Sequence, residues 1–292
     1  SRGLGDVYKR QMKKSLLLGL AALVFGGLTS CNNILEGEIK TANSDTGVLS
    51  LSLEQDNSIN VITKAGTFDG SKVSLSESEI DDFDVTVTKG ETTIAELTGK
   101  YSTVKGKSAT VATGVYKLTA TYGTMGDAAF AWDSPCFYGT VNATVSGSNL
   151  TTETIKCSLS NSIVVIDAAS LEELKKNVTI TNMVVITGAI DDNSSLTSGV
   201  SLLESGNLKT GTLYAAPNST DAKIVLEGYL TNDPGNLFRA KANILTGENV
   251  GAKNKYNVNF SLNSDKGSLS IAIEVNGEVA NQPIEVPVDP YK

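Results

Sequence analysis

Three cysteines carry the most reactive side chains in this 292-residue chain, and Cys31 stands apart from Cys136 and Cys157 by what precedes it. Met12-Lys13-Lys14 opens a basic start, Leu16 to Val24 is an apolar run, and Leu28-Thr29-Ser30 places small residues directly before Cys31. That order is a secretory leader that closes on a cysteine. Other chemistries are poorly supplied. The chain has no histidine, so it has no Ser-His-Asp triad and no imidazole metal ligand. With Cys31 engaged, two cysteines are too few for a zinc site of the usual kind. Carboxylates gather at Glu77, Glu79, Asp81, Asp82 and Asp84, and again at Asp191-Asp192-Asn193. Oxygen ligands suit calcium and paired acids suit proton transfer, but neither cluster has a calcium-loop spacing or a defined pair. Both are read as solvated loops, and no catalytic residue, metal ligand or cofactor is assigned. Aromatic residues concentrate at Phe130, Trp132, Phe137 and Tyr138. Core packing is the plain explanation for them. Because Pro135 and Gly139 mark a bend, Trp132, Phe137 and Tyr138 are also candidate contacts for a glycan.

The leader resembles the lipobox of bacterial lipoproteins. The resemblance implies cleavage between Ser30 and Cys31 and a diacylglycerol on the Cys31 sulfur. It also implies a protein held by lipid in the outer membrane, with the cell surface favoured over the periplasmic face. A transmembrane helix is the alternative, but Ser15–Gly27 at about 1.5 Å per residue spans roughly 20 Å of a core about 30 Å thick. Residues 1–11 precede the leader, and Asp6-Val7-Tyr8-Lys9-Arg10-Gln11 reads as translated library adapter. They are expected to be non-native, with the natural start at Met12, the signal peptide over 12–30 and the mature chain from Cys31. The whole chain carries 24 lysines and arginines against 32 acids. Removing residues 1–30 takes away five basic residues and one acid, leaving 19 against 31 and a net charge of -12. That charge repels nucleic acid and anionic headgroups.

Elements must then position these residues. Residues 31–47 are polar and read as a flexible tether. Period-two alternation follows: Leu49, Leu51 and Leu53 against Ser50, Ser52 and Glu54; Phe83, Val85 and Val87; Tyr116, Leu118, Ala120 and Tyr122. Val141, Ala143 and Val145 pair with Ile155, Cys157 and Leu159 across the Ser146–Asn149 turn. Counting through that turn sets Val145 opposite Leu150 and Cys136 opposite Leu159, diagonal to Cys157. Diagonal Cα atoms lie about 7–8 Å apart, at or beyond the disulfide limit, so two buried thiols are expected. Ser170-Leu171-Glu172-Glu173 opens the one clear helix, with Ser170 as cap and Glu173 returning the bond. Strands resume at Val178–Ile186, Ala222–Leu230, Tyr256–Leu262 and Leu269–Val275, the last entering an Asn276-Gly277 hairpin of type I′. Pro283, Pro287 and Pro290 confine the tail to an edge strand or extended arm. Short strands with regular turns predict an all-β protein. Two β-sandwich domains of immunoglobulin or transthyretin-like kind are expected in tandem, residues 48–160 and 161–292, with one short helix.

Residues 83–87 (FDVTV), 114–123 (GVYKLTATYG), 128–139 (AAFAWDSPCFYG) and 153–166 (ETIKCSLSNSIVVI) together resemble the domain-of-unknown-function 4493 family of Bacteroidales lipoproteins. Residues 228–230 (GYL) and 255–262 (KYNVNFSL) are similar, more loosely, to fimbrillin-type pilus and adhesin proteins. These resemblances imply an envelope adhesion or pilus-associated role without catalysis, with pilus subunits or surface glycans as partners. Fimbrillin-type pilins are cut after an arginine near the N-terminus, and here only Lys40 and Lys64 could substitute. A monomer is therefore expected. A glycan-binding lipoprotein of a polysaccharide-uptake system is the second expectation.

Overall fold

The alternating runs that begin at Leu49, Asp84 and Tyr116 lie in strands of the computed structural model. It describes residues 45–61, 73–187, 196, 199–217, 222–244, 253–265, 268–276, 278–279 and 284–287. The first half holds β1 (Thr46–Asp56), β2 (Asn60–Val61), β3 (Asp84–Lys89), β4 (Thr92–Thr93), β5 (Gly99–Lys100), β6 (Ser108–Ala112), β7 (Gly114–Tyr122), β8 (Phe130–Trp132), β9 (Phe137–Val145) and β10 (Leu150–Leu159). The second holds β11 (Ser162–Ile166), β12 (Val178–Thr187), β13 (Val200–Ser201), β14 (Leu203–Glu204), β15 (Asn207–Leu208), β16 (Leu213–Ala215), β17 (Ala222–Leu230) and β18 (Asp233–Asn243). It closes with β19 (Asn254–Asp265), β20 (Ser268–Val275), β21 (Glu278–Val279) and β22 (Ile284–Pro287). Among the described residues three short α-helices, α1 (Glu77–Asp81), α2 (Tyr101–Val104) and α3 (Ala168–Lys175), and a 3-10 turn at Ala95–Leu97 complete a mostly β fold. Among the described residues no helix is long and apolar enough to cross a membrane.

The first sheet has eight strands in the order β4-β3-β7-β9-β10-β1-β6, with β5 also on β3. Its buried face carries Leu49, Val85, Val87, Tyr116, Leu118, Ala143 and Ile155. Here β1 runs parallel to β10, Val48 to Asp56 facing Leu150 to Ser158, and antiparallel to β6. The second sheet runs β21-β20-β19-β11-β16-β8, with β2 on β19 and β22 on β20. A four-stranded sheet, β13-β12-β17-β18, faces it across a second core that holds Met183, Leu226, Phe260 and Ile273.

The halves meet through the second sheet. Along β11, Val164 and Ile166 point into the second core and Ile163 into the first. Along β16, Leu213 and Ala215 join the second core and Tyr214 the first. The sheet is therefore covered on both faces at these strands, and β8 and β2 from the first half hydrogen-bond at its margins. At the crossing, Asn161 is fully buried. Its side-chain oxygen accepts from the Cys136 N–H at 3.3 Å and its amide donates to the Ser134 carbonyl at 3.1 Å.

Two local expectations are corrected. The cap of α3 is Asp167, whose carboxylate accepts from the Ser170 N–H at 2.7 Å. The Ser170 hydroxyl instead accepts from the Phe260 N–H of β19 at 3.0 Å, tying helix to sheet. The register of β9 and β10 slips by one from the turn count. Phe137 faces Leu159, and the Ser160 N–H bonds the Cys136 carbonyl, so Cys136 lies opposite Ser160 rather than Leu159. The hairpin at Asn276 stands: Val275 faces Glu278, and Asn276 sits at φ 54°, while Gly277 lies outside the described residues.

Candidate functional site

The most distinctive surface chemistry lies at the seam between the halves. β8 pairs with β16 so that Trp132 faces Leu213 and Phe130 faces Ala215. After Trp132 the chain turns at Asp133, held at φ 49°. The Asp133 N–H donates to the Thr212 carbonyl and its carboxylate accepts from the Thr212 N–H, both at 2.8 Å. Gly211 stands opposite at φ 117°, where a side chain would come within 2.6 Å of the Asp133 carboxylate. This clamp fixes Trp132. The indole is half-buried against the second core, its Nε1–H donates to the Ser201 carbonyl at 3.3 Å, and the Lys209 ammonium lies 5.2 Å from the ring centroid. Beside it a groove of about 220 Å³ is lined by Trp132, Val165, Leu208, Lys209 and Thr212. An apolar floor with one indole and one cation suits a flat, weakly polar group. The Asp133 carboxylate at the turn is taken up by the Thr212 N–H.

The three aromatic candidates do not share a surface. Phe137 is 2% exposed in the first core, 6.3 Å from Phe83 between ring centroids, and offers no face to a ligand. Tyr138, the next residue on β9, points outward and is 44% exposed. Alternation along a strand sends neighbours to opposite faces, which is why the cluster in sequence disperses in space. Cys31 and Ser30 lie outside the described residues.

Both remaining cysteines are free and buried. Cys157 belongs to the first core, and burial pushes its thiol up to about 12. Cys136 lies outside that cluster and lines a cavity of about 510 Å³ with Met125, Ala128 and Pro217. The acidic run is structural rather than a loop. Ser76 caps α1 in a capping box, and Glu79 accepts from the Ser76 N–H at 2.7 Å. The Ser76 hydroxyl, then its N–H, holds the Glu79 carboxyl below its ordinary range. Asp81 and Asp84 pair with Lys105 and Lys100 at 3.4 and 3.0 Å. The Asp191–Asn193 cluster lies outside the described residues, and among those described no group of three His, Cys, Asp or Glu could hold a metal.

Three residues that organise the seam, Asp133, Asn161 and Lys209, carried no signal of their own in the sequence. Pro135 and Gly139 marked a bend after Asp133, but nothing linked it to residues near 211.

Packed sheets sharing one layer, with a groove at their seam, define a mostly β protein. Its sequence matches the model of the domain-of-unknown-function family DUF4493 over residues 45–290, and the chain belongs to that family. No curated protein matches it in sequence. Among solved structures, it is similar to a candidate cell adhesion protein from Bacteroides eggerthii, at 10% identity and a TM-score of 0.40, covering 85% of this chain and 98% of that one. A candidate cell adhesion protein from Bacteroides fragilis is similar at 10% identity and a TM-score of 0.35, covering 77% and 96%. The major pilin of Streptococcus pyogenes follows at 10% identity and a TM-score of 0.16, covering 84% and 95%.

Proposed function

We propose that the protein is a lipid-anchored envelope protein with an adhesion or pilus-associated structural role and no catalysis of its own. The order of the chain carries this reading: a basic and apolar leader ending at Ser30-Cys31, a short polar stretch, then a family match that opens at residue 45. A diacylglycerol on Cys31 would hold the fold at the outer membrane, facing the cell surface. The side-chain inventory agrees, with no histidine, with Glu79 engaged in a cap and with Asp81 and Asp84 in ion pairs. Cys31→Ser should move the protein from the membrane to the soluble fraction, and protease shaving of intact cells should reach the wild type. A variant that still needs detergent overturns the anchor.

The same reading makes the protein a monomer. The tail that could serve as a donor strand is occupied at home: β22 pairs with β20, Ile284 facing Ile271 and Pro287 facing Ser268. Pro283, Pro287 and Pro290 also lack the N–H groups a central strand needs. Light scattering on the Cys31→Ser chain should give one subunit before and after mild trypsin. Heat-stable ladders after cleavage at Lys40 or Lys64 would make it a polymerising pilin.

A glycan-binding role in polysaccharide uptake is the second reading. It is favoured by Tyr138, 44% exposed, and by Trp132 at the edge of the groove. Trp132→Ala with intact folding and lost glycan retention on an affinity gel supports it. Equal retention removes it.

A further inference from the structure

We propose that the parallel ladder of β1 and β10 is a tension clamp, built to resist pulling between the N-terminal end of the fold and the second sheet. The argument is geometric. β1 enters the fold at Asp45, its N-terminal end, while β10 leaves by its C-terminal end, and only Ser160 and Asn161 separate it from β11 of the second sheet. The strands are parallel, so opposed pulls on Asp45 and on the second sheet draw them past each other along their length. All nine registered pairs, Val48–Leu150 to Asp56–Ser158, are then strained together. Peeling from one end would break them singly.

The side chains repeat this ladder on the outward face. Ser50 bonds Thr152 at 2.7 Å, Ser52 bonds Thr154 at 2.8 Å, Glu54 pairs with Lys156 at 3.6 Å, and the Ser158 hydroxyl donates to Asp56 at 3.2 Å. Each pair is in direct register. Asp56 is also ion-paired to Lys253 at the start of β19, which pins the far end of β1 to the second sheet. From Ser50 to Asp56 every outward rung of the ladder therefore carries a second link that must break in the same slide. Parallel loading concentrates these losses into about one residue of travel, roughly 3.3 Å, whereas peeling spreads them over the whole strand.

The source of tension rests on the anchored reading above; the response of the ladder does not, and it is tested on the unlipidated chain. In the Cys31→Ser protein, handles are placed at Asp45→Cys and Glu173→Cys for sliding, or at Ser58→Cys and Glu173→Cys for peeling. Cys136 and Cys157 are buried and do not compete. Optical-trap rupture should need at least about twice the force in the first geometry, since rungs fail together rather than in turn. Ser50→Ala with Ser52→Ala should narrow that gap while leaving the urea midpoint nearly unchanged. Equal forces in the two geometries, or a gap untouched by the double substitution, would overturn the clamp.

Discussion

Gly139 of β9 lies against the Cys157 thiol, and a Cβ there would stand 2.4 Å from the Lys156 carbonyl and 2.7 Å from the Cys157 sulfur. A carbonyl in a ladder cannot swing aside, so Gly139→Ala should cost about 1–3 kcal/mol by overpacking, read as a lower urea midpoint with unchanged slope. Asp56 responds to acid in a defined direction. The hydrogen bond from Lys253, then those from Ser58, hold its carboxyl far below its ordinary 3.8. A carboxylate lowered on folding contributes stability above its unfolded pKa, and that contribution fades as pH falls from about 4 toward the folded value. The wild type should exceed Asp56→Asn by up to about 1 kcal/mol at pH 7. The two should converge as pH falls through 3 and below, and a difference constant from pH 7 to 2 would contradict the assignment. Burial and the Asp133 charge push the Tyr214 phenol up to about 12, with a Thr212 hydrogen bond acting the other way. It stays neutral across this range.

At the scale of elements, α3 offers a test of which contacts hold it. Asp167→Ala removes the cap and should cost about 1 kcal/mol. Ser170→Ala improves helix propensity yet strands the Phe260 N–H, so it should cost about 1–3 kcal/mol. Paired thermal melts distinguish these values from the near-neutral result expected of a serine pointing to solvent. The same helix shows what the sequence could tell. Its position was legible from Ser170-Leu-Glu-Glu, but the cap was not, because Asp167 and Ser170 are both good acceptors and only β19 decides between them. β1, β3 and β7 were legible because one face is buried and the other wet. β11 was not, since Ser162-Ile-Val-Val-Ile is covered on both faces and shows no alternation. β18 was hidden by Asp233-Pro234-Gly235, residues that signal a turn yet begin a strand here, with the register shifting beside them. The aromatic candidates were visible as a cluster in the chain, but the pleat of β9 and the break after β8 scatter them.

Across the whole molecule, the shared second sheet ties two cores that the sequence presents as successive domains. Ile163 and Tyr214 cannot leave the first core without disturbing Val164, Leu213 and Ala215 in the second. The two halves should therefore melt together, with coincident urea transitions by far-ultraviolet circular dichroism and by thiol exposure of Cys157 in the first core. Two separated transitions would show that the common layer couples them weakly. One feature of the seam makes it observable without any label. The chain contains a single tryptophan, and it is Trp132, wedged between β16 and the Lys209 ammonium. Its ultraviolet emission thus belongs to one place in the protein. A red shift will report water reaching the junction, and a change of intensity on adding a sugar or a partner will report occupation of the groove.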